Sequence, residues 1–184
     1  MRFRWVPVLA LAVAMPAAGQ QMQHADHMQG QHKGNEMVAG VLKLQNQVAG
    51  WLASAAEMMP ESNYSFKPTP EVRSFGELVG HVANAQYLFC SGASGEPSPN
   101  KTNFETVTSK AELVQGIKDA MAWCGKAYQM DDAKAMEAVK FFNQDGNRLW
   151  VLTFNTSHNF EHYGNVVTYL RLKGLTPPSS AGGM

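Results

Sequence analysis

The sequence predicts an all-α protein, folded as a four-helix bundle. Three observations carry that prediction. Four segments repeat apolar residues at three- and four-residue steps. Two of them open on a Ser-x-x-Glu capping signature, and Pro or Gly clusters close them. No stretch of useful length alternates apolar and polar residues as a half-buried strand does.

The first helix is expected over 36–59. Val38, Val41, Val48, Leu52, Ala55 and Met59 share one stripe, Gln45 interrupts it, and Pro60 ends it. A loop follows in which Pro68 and Pro70 favour extended backbone. The second helix opens at "SFGE", with Ser74 as N-cap and Glu77 three residues on. Leu78, His81, Val82, Ala85, Leu88 and Phe89 follow at helical spacing, and "SGASGEPSPN" stops the helix. The third helix opens at "SKAE" with Ser109 and Glu112; its stripe is Leu113, Ile117, Ala120, Met121, Cys124 and Tyr128. The segment "MDDAKAMEAVKFFNQDGN" fits either a short helix or an extended run. The fourth helix is expected over 148–173, with Val151, Leu152, Asn155, His158, His162, Val166, Tyr169 and Leu170 on one face and Gly174 as its stop. Four such helices bury their stripes best against one another. The loops are long enough for an order other than simple up-down-up-down.

The first residues read as a leader and not as part of this core. Arg2 and Arg4 precede a short apolar run from Val6 to Met15, and Ala17 and Gly19 are small residues at the cleavage spacing. Residues 1–19 are therefore expected to be a signal peptide, leaving Gln20 first in an exported, secreted or periplasmic protein. The apolar run is shorter than the ~20 residues a spanning helix needs, and no stable membrane anchor is expected. Residues 20–35, rich in Gln, His and Met, read as a disordered arm; His24, His27, His32, Met22 and Met28 could hold copper or nickel weakly, although a solvated linker accounts for the same composition. The bundle is expected over 36–176 and a flexible tail over 177–184. The chain has 15 acidic and 15 basic residues and no basic cluster, which argues against a nucleic-acid partner. Export would expose Cys90 and Cys124 to an oxidising compartment, which favours one disulfide between them over two buried thiols.

Six histidines are present, three of them in the arm. The other three, His81, His158 and His162, all fall on inward faces. Buried imidazoles need partners. One shared divalent metal satisfies all three, with His158 and His162 four residues apart on one helix and His81 on another. Zn2+ suits this donor set, with Ni2+, Fe2+ or Mn2+ as alternatives, and three ligands leave a position open to water or substrate. A polar network bridged by water is the metal-free reading of the same faces.

Neighbouring signatures fail on particular residues. "HNFEH" matches H-x-x-E-H, but no Asp or Glu follows His162 to complete an inverted zinc-peptidase site. A di-iron bundle needs Glu three residues before its histidines; Asn155, Asn159 and Leu78 stand there. There is no phosphate-binding glycine loop and no G-x-S-x-G elbow. Catalytic residues stay unassigned, with Glu77 and Glu161 as candidates to support the ligands.

Three pieces together, "SFGELVGHVANAQYLFC", "SHNFEHYGNVVTYLRLKGLTPP" and the Gly-x-x-Pro-Pro ending, resemble the DinB/YfiT-like family of metal-dependent bundles over 38–178. The resemblance implies an up-down-down-up order, a divalent metal on His81, His158 and His162, and a tendency to form homodimers. Some relatives resemble transferases or isomerases that use cytosolic thiols, which an exported chain would not meet. The leading functional expectation is a metal-dependent hydrolase or transferase acting on a small molecule. The alternative is a module that binds metal or a small ligand without turnover.

Overall fold

The computed structural model describes residues 34–181. The expected leader, residues 20–33 of the expected arm and residues 182–184 lie outside the described residues. Four long helices form the core: α1 (Glu36–Met58), α2 (Phe75–Ser94), α3 (Lys110–Gly125) and, after a short α4 (Asp132–Ala135) and a β-hairpin, α5 (Arg148–Leu172). Their ends follow the local chemistry. Ser74 accepts from the Glu77 amide at 3.2 Å while the Glu77 carboxylate takes the Ser74 amide at 2.6 Å, a complete capping box. At α3 only the serine half forms, from the Glu112 amide to Ser109 at 3.4 Å. Asn147 caps α5 by accepting from the Trp150 amide at 2.8 Å.

Contacts between the helices fix their directions. Gln45 meets Asn159 and Trp51 stacks on Tyr163, so α1 and α5 run parallel. Tyr169 donates to the Arg73 carbonyl at one end of α2 and Arg148 to the Ala93 carbonyl at the other, both at 2.6 Å, so α2 and α5 are antiparallel. Lys110 donates to the carbonyls of Glu57 and Met59, while Gln45 reaches Met121, so α1 and α3 are antiparallel. The order is up-down-down-up, with α1 and α2 each packed between α3 and α5.

Two apolar clusters fill the bundle. One gathers Val48, Leu52, Phe75, Leu113, Ile117, Val166 and Leu170; the other gathers Val38, Phe89, Cys90, Cys124, Tyr128, Val151 and Leu152. Each fully buried large side chain contributes ~1.5–3 kcal/mol. A polar layer lies between the clusters. Gln86 donates to Asn159 at 2.7 Å, Asn159 to Gln45 at 2.9 Å, Asn155 to Gln86 at 3.1 Å and Asn155 to Tyr128 at 3.0 Å. Gln45 therefore does not break the α1 stripe; it is buried because three helices supply its partners.

Several expectations change. The segment read as helix or extended run holds both forms: α4, then β1 (Ala138–Phe141) paired antiparallel with β2 (Gln144–Asn147). Phe142 and Asn143 join the strands with φ of 47° and 62°, the positive pair that a two-residue hairpin turn needs. Leu88, placed on the inward stripe of α2, is 50% exposed. The described part of the expected tail carries a helical turn, α6 (Pro178–Ala181), and the Ser179 amide and hydroxyl both bond the Tyr163 hydroxyl at 2.9 Å. No helix among the described residues is long and apolar enough to cross a membrane.

Candidate metal centre

Antiparallel packing of α2 on α5 brings the three histidines together. His158 Nε2 lies 3.2 Å from His81 Nε2 and 2.9 Å from His162 Nε2. The ligand atoms of all three lie within 4.8 Å of one another, and among the described residues no fourth His, Cys, Asp or Glu joins them. A tetrahedron with metal–nitrogen bonds of about 2.0–2.1 Å has edges of about 3.3–3.4 Å. The two short nitrogen–nitrogen distances are close to that edge.

A neighbouring carboxylate sets the tautomer that ligation requires at His81, while His158 Nδ1 is buried without a partner among the described residues. Glu105 Oε1 lies 3.0 Å from His81 Nδ1 and its other oxygen accepts from Arg73 Nε at 2.9 Å. An ionised carboxylate only accepts, so the proton sits on His81 Nδ1 and the lone pair on Nε2 points into the cluster. Burial opposes ionisation of Glu105, but the bonds from His81 and Arg73 outweigh it and hold its pKa below the usual carboxylate value. Asn165 Nδ2 is 3.5 Å from His162 Nδ1. A His162 that ligates through Nε2 carries its proton on Nδ1 and is served by the Asn165 amide turned to present its oxygen.

Charge on His158 and His162 is suppressed. Burial, with help from the neighbouring His162, His81 and Arg73, lowers the His158 pKa to about 3. Burial and His81 also lower that of His162. His158 and His162 are thus favoured in the neutral form that ligates a metal, and all three histidines bring a ring nitrogen to one place. The donor set therefore fits a divalent ion.

Glu105 is placed by its local sequence. It lies in a 3-10 turn (Phe104–Thr106) whose first amide donates to Asn84 Oδ1 at 3.1 Å, while Asn84 Nδ2 donates to Asn103 at 2.8 Å. The turn rests directly on Gly80; a Cβ there would run into the Phe104 carbonyl. Behind His158 the Phe89 ring stands with its centroid 5.2 Å away, followed outward by Phe154 and Phe142.

Sequence reasoning selected all three histidines, and the structure brings them together. His162 is buried and the other two are half-buried. Cys90 and Cys124 are also brought together, with sulfurs at bonding distance and Cα atoms 5.2 Å apart. Of the expected supporting groups, Glu77 is spent on the α2 cap and an ion pair with Lys67, and Glu161 is exposed. Glu105, Asn165 and Arg73 were not foreseen. The local signal for Glu105 was an Asn two residues before it, whose side chain accepts from the Glu105 amide at 3.2 Å.

Residues 47–166 match the family model described as DinB superfamily. The fold is similar to the crystal structure of a DinB-like protein from Bacillus cereus, with a TM-score of 0.69 and 18% identity over 79% of this chain and 97% of the other. A DinB-like protein from Bacillus subtilis is similar at a TM-score of 0.62 and 20% identity, over 74% and 93% of the two chains. No curated protein matches.

Proposed function

The chain belongs to the DinB superfamily, and from that premise we propose that it is an exported, metal-dependent enzyme, a hydrolase or transferase acting on a small molecule. One observation carries the proposal: three imidazole nitrogens converge and, among the described residues, no fourth His, Cys, Asp or Glu closes the set. Structural zinc sites are usually closed by four protein ligands, whereas catalytic ones keep a position for water or substrate. Zn2+ suits three neutral imidazoles, with Ni2+, Fe2+ and Mn2+ as alternatives. Bound there, such an ion supplies Lewis acidity at neutral pH. The chain's own groups orient His81 through Glu105 and screen the His158 side with aromatic rings.

A second reading, a binder without turnover, draws support from Glu105. It is hydrogen-bonded to the cluster, and both its oxygens are already committed to His81 and Arg73, which takes it out of the role of general base. Export is proposed from the leader pattern, and homodimer formation from the family resemblance.

Elemental analysis of untagged protein beginning at Gln20 tests the metal. About one equivalent is expected in the wild type, with a loss of orders of magnitude in affinity in His158→Ala. Equal metal content in the two would refute ligation by this cluster. A screen of ester, amide and group-transfer substrates then separates the readings, because turnover that vanishes on chelation and returns with the metal excludes the pure binder. Recovery outside the cytoplasm with Gln20 as the first residue tests export.

A further inference from the structure

Beside the histidine cluster lies a cleft of about 740 Å³, within the range of roughly 300–1,000 Å³ typical of small-molecule sites. His162, Glu105 and Asn165 form its inner wall, and Arg73 lines it with Lys67 and Tyr169. The cleft thus reaches one candidate ligand, His162, together with Glu105, the partner of His81, on one side and solvent on the other.

Arg73 is fixed at two points. Its carbonyl accepts from the Tyr169 hydroxyl at 2.6 Å, and its Nε donates to Glu105 Oε2 at 2.9 Å. Both terminal nitrogens of the guanidinium are left without a partner among the described residues, on a side chain that is 44% exposed. A guanidinium held by its Nε and free at its Nη edge is a pre-set fork for a planar oxyanion. Lys67, by contrast, is engaged with Glu77 at 3.1 Å.

We propose that the cleft takes a small molecule bearing a single carboxylate, which pairs with the Nη edge of Arg73 while another group of the same molecule reaches the position that the three histidines leave open. This rests on the metal reading above. Geometry favours it: the guanidinium and the cluster are two hydrogen bonds apart, through Glu105 and His81, so a short molecule spans both. Charge selects a monoanion. Three carboxylates, Glu71, Glu77 and Glu105, and two cations, Lys67 and Arg73, line the cleft. A divalent ion on the histidines brings the balance to a single positive charge, which one carboxylate neutralises.

The test uses protein loaded with Co2+, whose visible absorption reports entry of an outside ligand. The probes are imidazole-4-acetate and imidazole-4-propionate, which carry a metal-binding ring and a carboxylate, against 4-methylimidazole, which has the ring alone. At least one carboxylated probe is expected to bind ~10-fold or more tightly than 4-methylimidazole, the gain typical of one charge-assisted bond. In Arg73→Lys, which keeps a cation beside Glu105 but loses the fork, that advantage should fall toward one. The probes are compared at saturating Co2+, so a change in Co2+ affinity transmitted through Glu105 cancels from the ratio. Equal binding of all three probes to wild type, or an advantage that persists in Arg73→Lys, overturns the carboxylate site and leaves the metal site standing. Failure of Co2+ to bind wild type more tightly than His158→Ala overturns both.

Discussion

Gly80 shows how one residue connects the fold to the candidate site. A glycine inside a helix ordinarily costs ~1 kcal/mol relative to alanine, so Gly80→Ala should stabilise α2. Here the new Cβ would meet the backbone of the Phe104 turn, and that turn carries Glu105. The expected outcome is the reverse: a loss of ~1–3 kcal/mol from overpacking, with weaker metal affinity as Glu105 shifts off His81. Denaturant titration and metal titration of the same variant check both effects, and a stabilised protein with unchanged affinity would count against this account. His158 supplies a second prediction. Its folded pKa, about 3, lies below its unfolded value of ~6.5. The unfolded chain therefore binds more protons between these values. The stability that neutral His158 contributes to the metal-free protein is fully present above pH ~6.5 and is lost as pH falls toward 3. Denaturation midpoints measured across that window should decline, and the decline should be shallower in His158→Phe.

At the scale of elements, the helices were legible because each signal was local. Apolar steps, the Ser74 box and the Pro60 stop all lie within a few residues of the boundary they set. The hairpin was not legible. Its strands have four residues each, β2 reads Gln-Asp-Gly-Asn without a β-former, and its turn uses Phe142 at positive φ where Asn or Gly would have announced it. Phe142 is 55% exposed yet its ring meets Phe141, Phe89 and Phe154, so tertiary packing outweighs the backbone preference. The site divides in the same way. Two histidines four residues apart on one helix are visible in sequence, whereas Glu105 is recruited from a turn positioned by Asn84 and Gly80, which no periodicity reveals. The link between α2 and α3 gives a prediction at this scale. Cys90 and Cys124 are separated by 34 residues and buried against Asn155, whose amide lies 3.4 Å from the Cys124 sulfur. Closing a loop of that length stabilises by ~3–4 kcal/mol in the chain-entropy model. Replacing both cysteines with alanine should lower stability by about that amount while the helical signal at 25 °C is kept, and a thiol assay on denatured, unreduced protein should find no free thiol. Two titratable thiols would show that the pair is not oxidised.

For the whole molecule the question is whether a metal would hold the fold or serve chemistry on it. A small zinc finger unfolds without its ion because it has almost no core of its own. This bundle has two apolar clusters joined by a polar layer, and neither depends on the histidines. Gln45, Gln86, Asn155 and Asn159 bond one another across α1, α2 and α5, with only Asn155 Oδ1 of this layer buried without a partner among the described residues, so the helices are held in register by bonds that removing an ion leaves intact. The histidines sit at the margin of this core, two of them half-buried. Chelation is therefore expected to leave the helical circular dichroism nearly unchanged at room temperature. It should still lower the melting temperature, because an ion bound only by the folded state stabilises by mass action, ~2.7 kcal/mol when present at a hundred times its dissociation constant. The size of the shift should follow the free metal concentration and disappear in His158→Ala. If chelation instead collapsed the helical signal, the ion would be part of the scaffold, and the open coordination position would no longer argue for catalysis.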